Sequence, residues 1–272
     1  MSSILLQTEK NFQGHVWLLA GTGEGHLMAE ALISDGWQVT VSVVSYQASK
    51  PFLEMPLLDL LVGPIEGVKG IANIINNSRE LMKGFDWVID ATHPFALIIS
   101  SDLQKACKQM DQSLIRYERP SLDTSQDLLV KNIKAIAKLP LKGKKILLAL
   151  GSKNISEAFD SVREAGGEAF ARILPTPESL VKALAGGLPG SNLAIVRPFQ
   201  QEPLADLERA LCDRWSIDGV ICRQSGGLVE KMWGALCKKK KLDLWLISRP
   251  KELEGILLFD SLQSLLLHLS LH

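Results

Sequence analysis

The sequence predicts an α/β protein made of two Rossmann-like domains with parallel sheets and a cleft between them. Three observations predict it. Short apolar runs alternate strictly with amphipathic segments of helical spacing. Turns rich in glycine or small polar residues follow several of those runs, where a strand passes into a helix. The alternation also restarts after a polar, Lys-rich stretch containing Pro140 and Gly143, which divides the 272 residues into domains of 14–140 and 141–272.

The elements follow in order. "HVWLLAG" reads as a buried strand and "GHLMAEALISDG" as the helix after it; "WQVTVSVVS", rich in β-branched residues, is the next strand. "VKGIANIINNSREL" is a helix, "FDWVIDATH" a strand and "FALIISSDLQKACKQM" a helix, and "SLIRYERP" is a strand ended by Pro120. The second half repeats the pattern. Strands "KKILLALG", "EAFARIL", "NLAIVRPF", "IDGVICRQ" and "DLWLISRP" alternate with "NISEAFDSVREAGG", a helix from Pro177, "PLADLERALCDRW" and "LVEKMWGALCKKKK". Strict alternation means parallel sheets covered on both faces.

Composition narrows the function. Thirty basic residues balance thirty acidic ones, so no global field draws the chain to nucleic acid or an anionic membrane. The four cysteines show no CxxC pair and the histidines no metal-ligand spacing, so neither a disulfide framework nor a metal site is expected. No secretory signal is read at "SSILL", and the Leu-rich tail "GILLFDSLQSLLLHL" is interrupted by Asp260, Ser261 and Gln263. These features predict a cytoplasmic protein.

Four stretches carry chemistry. "AGTGEG" places Gly21, Gly23 and Gly25 in a strand-to-helix turn, where amides and the helix N-terminus suit a phosphate. A plain tight turn is the alternative. His26 stands where a dinucleotide fingerprint has its last glycine. The next strand ends without an acid and offers Ser42, Ser45 and Lys50, which favours a phosphorylated ribose, hence NADPH over NADH. "LALGSKNI" repeats the arrangement with Gly151 and Ser152, and "CRQSGGLVEK" sets Ser225, Gly226 and Gly227 before a helix carrying Lys231. Each reads as an anion-holding turn, or equally well as a plain helix cap in the first case and a turn with a surface lysine in the second. "IDATHPFA" gathers Asp90, Thr92 and His93 at the end of a strand, as candidate catalytic residues or as turn formers before Pro94. Arg116, Arg119, Arg172, Arg197, Arg223 and Arg249 all lie near predicted strand ends, a set suited to several carboxylates.

Taken together, "AGTGEG", "DATHPFA", "RYERP", "GSKN", "RILP", "RPF", "SGGLVEK" and "ISRP" fall in the order seen in precorrin-6A reductases, which the chain resembles from about residue 15 to residue 250. "DATHPFA" is the most specific piece. The resemblance implies two Rossmann-like domains and NAD(P)H-dependent reduction of a ring double bond of precorrin-6A or cobalt-precorrin-6A, on the route to cobalamin. With the residue reading, the candidate cofactor-binding residues are Gly21, Thr22, Gly23, Glu24, Ser42, Ser45, Gly151 and Ser225–Gly227. The carboxylates of a precorrin would explain the strand-end cations, so the candidate substrate-binding residues are Thr92, His93, Phe95, Arg116, Arg119, Arg172, Arg197 and Lys231. The chain departs from the family at Ala20, where a glycine is usual, at Arg197 before Pro198-Phe199, and at Arg223. NADPH is the expected donor, with NADH the alternative, and transient contacts with neighbouring pathway enzymes are expected partners. Two rivals remain on the residues alone: an NADP-dependent dehydrogenase or epimerase of a smaller substrate, and a nucleotide-binding sensor without turnover.

Overall fold

All six residues of the first strand, β1 (His15–Ala20), are buried, as happens where a sheet is covered on both faces. In the computed structural model, which describes residues 12–121, 128–196, 205–251 and 253–272, β1 is followed by α1 (Gly25–Ser34), β2 (Gln38–Val43) and α2 (Tyr46–Ser49). Then come β3 (Asp59–Val62), α3 (Gly67–Met82), β4 (Trp87–Ala91), α4 (Leu97–Gln109) and β5 (Leu114–Tyr117). A second series runs β6 (Leu128–Val130), β7 (Lys145–Ala149), α5 (Ile155–Glu164), β8 (Glu168–Ile173), α6 (Pro177–Ala185) and β9 (Leu193–Ile195). It continues with α7 (Asp206–Trp215), β10 (Gly219–Arg223), α8 (Leu228–Lys240) and β11 (Asp243–Ile247); β12 (Leu257–Phe259) and α9 (Leu262–Leu271) close the chain.

The first six-stranded sheet has the order β12-β5-β4-β1-β2-β3 and the second β6-β11-β10-β7-β8-β9, with every neighbouring pair parallel. Read from the far edge, the first is the doubly wound 3-2-1-4-5-6 order; in the second, β7–β11 repeat the 3-2-1-4-5 part and β6, the first strand of its unit, takes the sixth place, so the order reverses between β1 and β4 and between β7 and β10. Side-chain alternation sorts β1 between two cores. Val16 and Leu18 pack with Met28, Leu32 and Leu265, whereas Trp17 and Leu19 pack with Ile71, Ile75 and Leu103. In the second unit Leu147, Phe170, Val220, Trp233 and Leu246 form a core of the same kind.

The division of the chain differs from the expected 14–140 and 141–272. One unit is Met1–Pro120 with Pro250–His272, and the other is Ser121–Arg249. The Lys-rich stretch is a loop inside the second unit: Ile136 and Leu141 are fully buried, and the Gly143 amide donates to the Gly166 carbonyl at 2.9 Å. The leucine-rich tail returns to the first sheet, where β12 extends the edge beside β5 with Leu257 opposite Ile115. No helix among the described residues is long and apolar enough to cross a membrane.

Candidate active site

Both strands at the reversal in the first sheet end level, with Ala20 paired to Ala91, so the turns that follow them are neighbours. The glycines of the first turn divide the work. A Cβ on Gly21 would lie 3.0 Å from the Thr92 Cα and 3.2 Å from the His93 nitrogen, so only glycine lets the two turns meet. A Cβ on Gly25 would lie 2.7 Å from that of Ala20, so this glycine allows α1 to sit close on β1. In the fingerprint that packing belongs to the last glycine; here Gly25 supplies it one residue earlier than His26. Gly23 faces open space, with nothing within 4 Å of a Cβ.

Beneath the second turn lies a buried ion pair. Asp90 Oδ1 accepts from the Thr92 amide at 3.0 Å and the Thr92 hydroxyl at 2.6 Å, and pairs with Arg116 Nη1 at 2.8 Å. The same Nη1 donates to Thr92 Oγ1 at 3.1 Å and Ser100 Oγ at 3.3 Å, while Arg116 Nε reaches Glu118 at 3.4 Å. Asp90 Oδ2 is buried with no hydrogen-bond partner among the described residues. Arg116, expected at the tetrapyrrole, is instead consumed by the turn: its guanidinium is the strut that holds Asp90 and Thr92. Ser100 escaped the sequence reading. Its signal was a lone serine on the α4 face that also buries Leu103 and Cys107.

His93 is half-buried, and its Nδ1 accepts from the Phe95 amide at 3.2 Å, which leaves the neutral ring's proton on Nε2. Glu24, the residue preceding α1, pairs through Oε1 with Arg119 Nη1 at 3.2 Å. Thr22, Glu24, Thr92, Pro94, Tyr117 and Arg119 line one crevice at the carboxyl ends of β1, β4 and β5. The Tyr117 phenol is pushed up, first by burial and then by Glu24, with Arg119 pulling the other way.

Other expected cofactor and substrate residues find different partners. Ser42 is buried and accepts from the Trp17 indole at 2.7 Å, so its hydroxyl braces the core. Ser45 is exposed and caps α2. In the second unit Gly151 and Ser225–Gly227 follow adjacent strands β7 and β10, at that sheet's own reversal. Gly151 has φ +76° with open space at its Cβ position, and Ser152 accepts from Ser179 Oγ at 3.0 Å. The Gly226 amide, however, already donates to the buried Glu230 carboxylate at 2.6 Å, which takes the place an anion would use. Lys231 is exposed.

Arg172 is corrected too. It pairs with the fully buried Glu208 at 2.6 Å and lies over the Trp233 ring at 5.9 Å, so it belongs to the interior of the second unit. Burial pulls its pKa down and Glu208 opposes that. Arg223 donates to Asn154 Oδ1 at 2.7 Å, and Arg249 Nε to the Gln224 carbonyl at 3.0 Å. Arg197 lies outside the described residues. Among the described residues no cluster of His, Cys, Asp and Glu has a metal-holding arrangement.

Comparison with known proteins places this arrangement. A solved structure titled "CobK precorrin-6A reductase" superposes with a TM-score of 0.73 at 22% identity, over 94% of this chain and 96% of that one, so the two share a fold. A curated precorrin-6A reductase of Mycobacterium tuberculosis (strain ATCC 25618 / H37Rv) is 25% identical over 253 residues, covering 90% of this chain and 93% of its own. The cobalt-precorrin-6A reductase of Synechocystis sp. (strain ATCC 27184 / PCC 6803 / Kazusa) is 30% identical over 250 residues, covering 88% of this chain and 90% of its own. The family model described as "Precorrin-6x reductase CbiJ/CobK" matches residues 15–269, all three glycine turns and the Asp90 turn included, and this chain belongs to that family.

Proposed function

We propose that this chain reduces a ring double bond of precorrin-6A or its cobalt form, taking the hydride from NADPH bound at the turn between β1 and α1. The observation that carries the reading is the division of labour among Gly21, Gly23 and Gly25 at the reversal of strand order. A dinucleotide needs an amide-lined turn that its phosphates can approach, and Gly23 is open where that approach is made. A reduced nicotinamide supplies hydride to a conjugated carbon. The protein's own residues hold and orient. Asp90 and Arg116 fix the β4 turn, Thr92 and Gly21 set its distance from the glycine turn, and His93 keeps the loop to Phe95 closed.

Preference for the 2′-phosphate rests on the end of β2, where Ser45 and Lys50 are exposed and no acid stands to hold a free ribose. With Arg116 and Arg172 committed internally and Arg119 paired with Glu24, Arg197 and Lys231 are the cations left from the expected set for the carboxylates of the tetrapyrrole. A cytoplasmic location is supported by the four cysteines, all buried and outside any disulfide.

The experiment is Gly23→Val. Its side chain has room in the fold, so the melting temperature should hold while NADPH affinity falls by about tenfold or more, the scale of one lost phosphate contact. Unchanged NADPH affinity in the folded variant sinks the assignment of the turn. Mixing the wild-type protein with NADPH and precorrin-6A tests turnover, and binding without NADPH consumption would make it a sensor.

A further inference from the structure

We infer that Arg119 serves the cofactor turn as the counter-charge of Glu24, and is not a ligand of the tetrapyrrole. The inference rests on the reading of the β1–α1 turn as the cofactor's. Glu24 follows Gly23 directly and precedes the first turn of α1. A carboxylate at a helix N-terminus is favourable to the helix. The fold therefore has no need of Arg119 to keep Glu24 there. A phosphate arriving at Gly23 does need it, because an uncompensated carboxylate on the next residue repels an anion at short range.

The geometry supplies the compensation. Arg119 Nη1 stands 3.2 Å from Glu24 Oε1, and the guanidinium-bearing side chain is only 13% exposed. Glu24 Oε2 is covered and has no hydrogen-bond partner among the described residues, so Oε1 carries the charge pairing. The position of Arg119 is set by the backbone. The Glu118 amide donates to the Phe259 carbonyl at 2.8 Å, carrying the β5–β12 ladder one residue beyond the strand. Pro120 then restricts the backbone of Arg119 itself. Arg119 thus arrives as a cation against Glu24, beside Tyr117 and Thr22 in the same crevice. A side chain so covered and so aimed is poorly placed to reach for a large substrate.

The test is a double-mutant cycle read by equilibrium binding of NADPH, by calorimetry or nicotinamide fluorescence, at low and moderate salt. Arg119→Ala should weaken NADPH binding by about tenfold, with the loss shrinking as salt rises. Combining it with Glu24→Gln should bring the affinity back to within about threefold of wild type, because the repulsion leaves with the charge. A double variant that binds no tighter than Arg119→Ala overturns the inference, since Arg119 then contacts a ligand itself. Arg119→Ala with unchanged NADPH affinity overturns it as well. If the Arg119 variants do not fold, Glu24→Gln alone decides: tighter binding of NADPH supports the inference, and unchanged or weaker binding overturns it. Gly23→Val separates the two levels. If it loses affinity while the cycle shows no coupling, only the role of Arg119 falls. If it too leaves affinity unchanged, the reading of the turn falls with it.

Discussion

At the scale of single residues, chemical type says less than surroundings. His93 is the titratable residue of the loop between β4 and α4, which makes it the obvious proton donor. Its Nδ1, however, is the acceptor for the Phe95 amide, the bond an asparagine oxygen makes in an Asx turn. Hydride addition to a conjugated macrocycle spreads the new charge, so orientation, worth ~7–11 kcal/mol, can carry most of the acceleration. His93→Asn should therefore lose less than about tenfold in kcat, below the 10²–10⁴ of a general acid. A thousandfold loss with NADPH affinity intact would make His93 the donor. The arginines teach the same point. Arg116 and Arg172 look alike in sequence to Arg119, yet both are paired to buried carboxylates, which strand-end position alone cannot reveal.

At the scale of the element, the end of β4 works as one preorganised unit. Asp90 gathers three donors on a single oxygen, and the turn it stiffens is the surface on which Gly21 rests. Removing one partner of a buried pair leaves the other desolvated and unmatched, at a cost of ~3–5 kcal/mol. Asp90→Ala should lower stability to denaturant by about that amount. Ser100→Ala, which removes one of several acceptors around Arg116, should cost only ~0.5–1.5 kcal/mol. Equal losses in the two variants would mean that Asp90 is not the keystone of the turn. Asp90, Thr92 and His93 were legible as a candidate site because a strand end is where open α/β sheets bind ligands. The Arg116 strut was not legible, because it joins β4 to β5 through side chains that are distant in sequence.

At the scale of the whole molecule, the two sheets differ in how the chain completes them. Ser121–Arg249 contains all six strands of its sheet, whereas the first sheet waits for β12 and α9 after the second unit has been made. Leu265 and Leu269 of α9 are buried against Val16, Leu18 and Ile115. Burying each is worth ~1.5–3 kcal/mol, against a typical total of ~5–15 for a domain. A chain ending at Arg249 should therefore lose the cooperative unfolding of its first unit and its affinity for a reduced nicotinamide, while the isolated 121–249 segment should unfold cooperatively. Calorimetry of the two fragments checks this; a chain ending at Arg249 with an unchanged melt would refute it.

What the sequence determined by itself was local and periodic. The alternation of apolar runs with helical stripes gave two parallel sheets, because strands covered on both faces must be apolar throughout. The glycine turn and "DATHPFA" marked the strand ends that meet at the candidate site of the first sheet. Only the tertiary structure decided where the units divide. The polar stretch around Pro140 is a loop whose Ile136 and Leu141 are buried, and the tail's short strand β12 is defined by its pairing with β5. It also decided which cations are committed, sending Arg116 to Asp90, Arg172 to Glu208 and Arg119 to Glu24. The physical reason is the same throughout: an edge strand and a buried ion pair are each stabilised by a partner far along the chain. No local pattern records which partner that is.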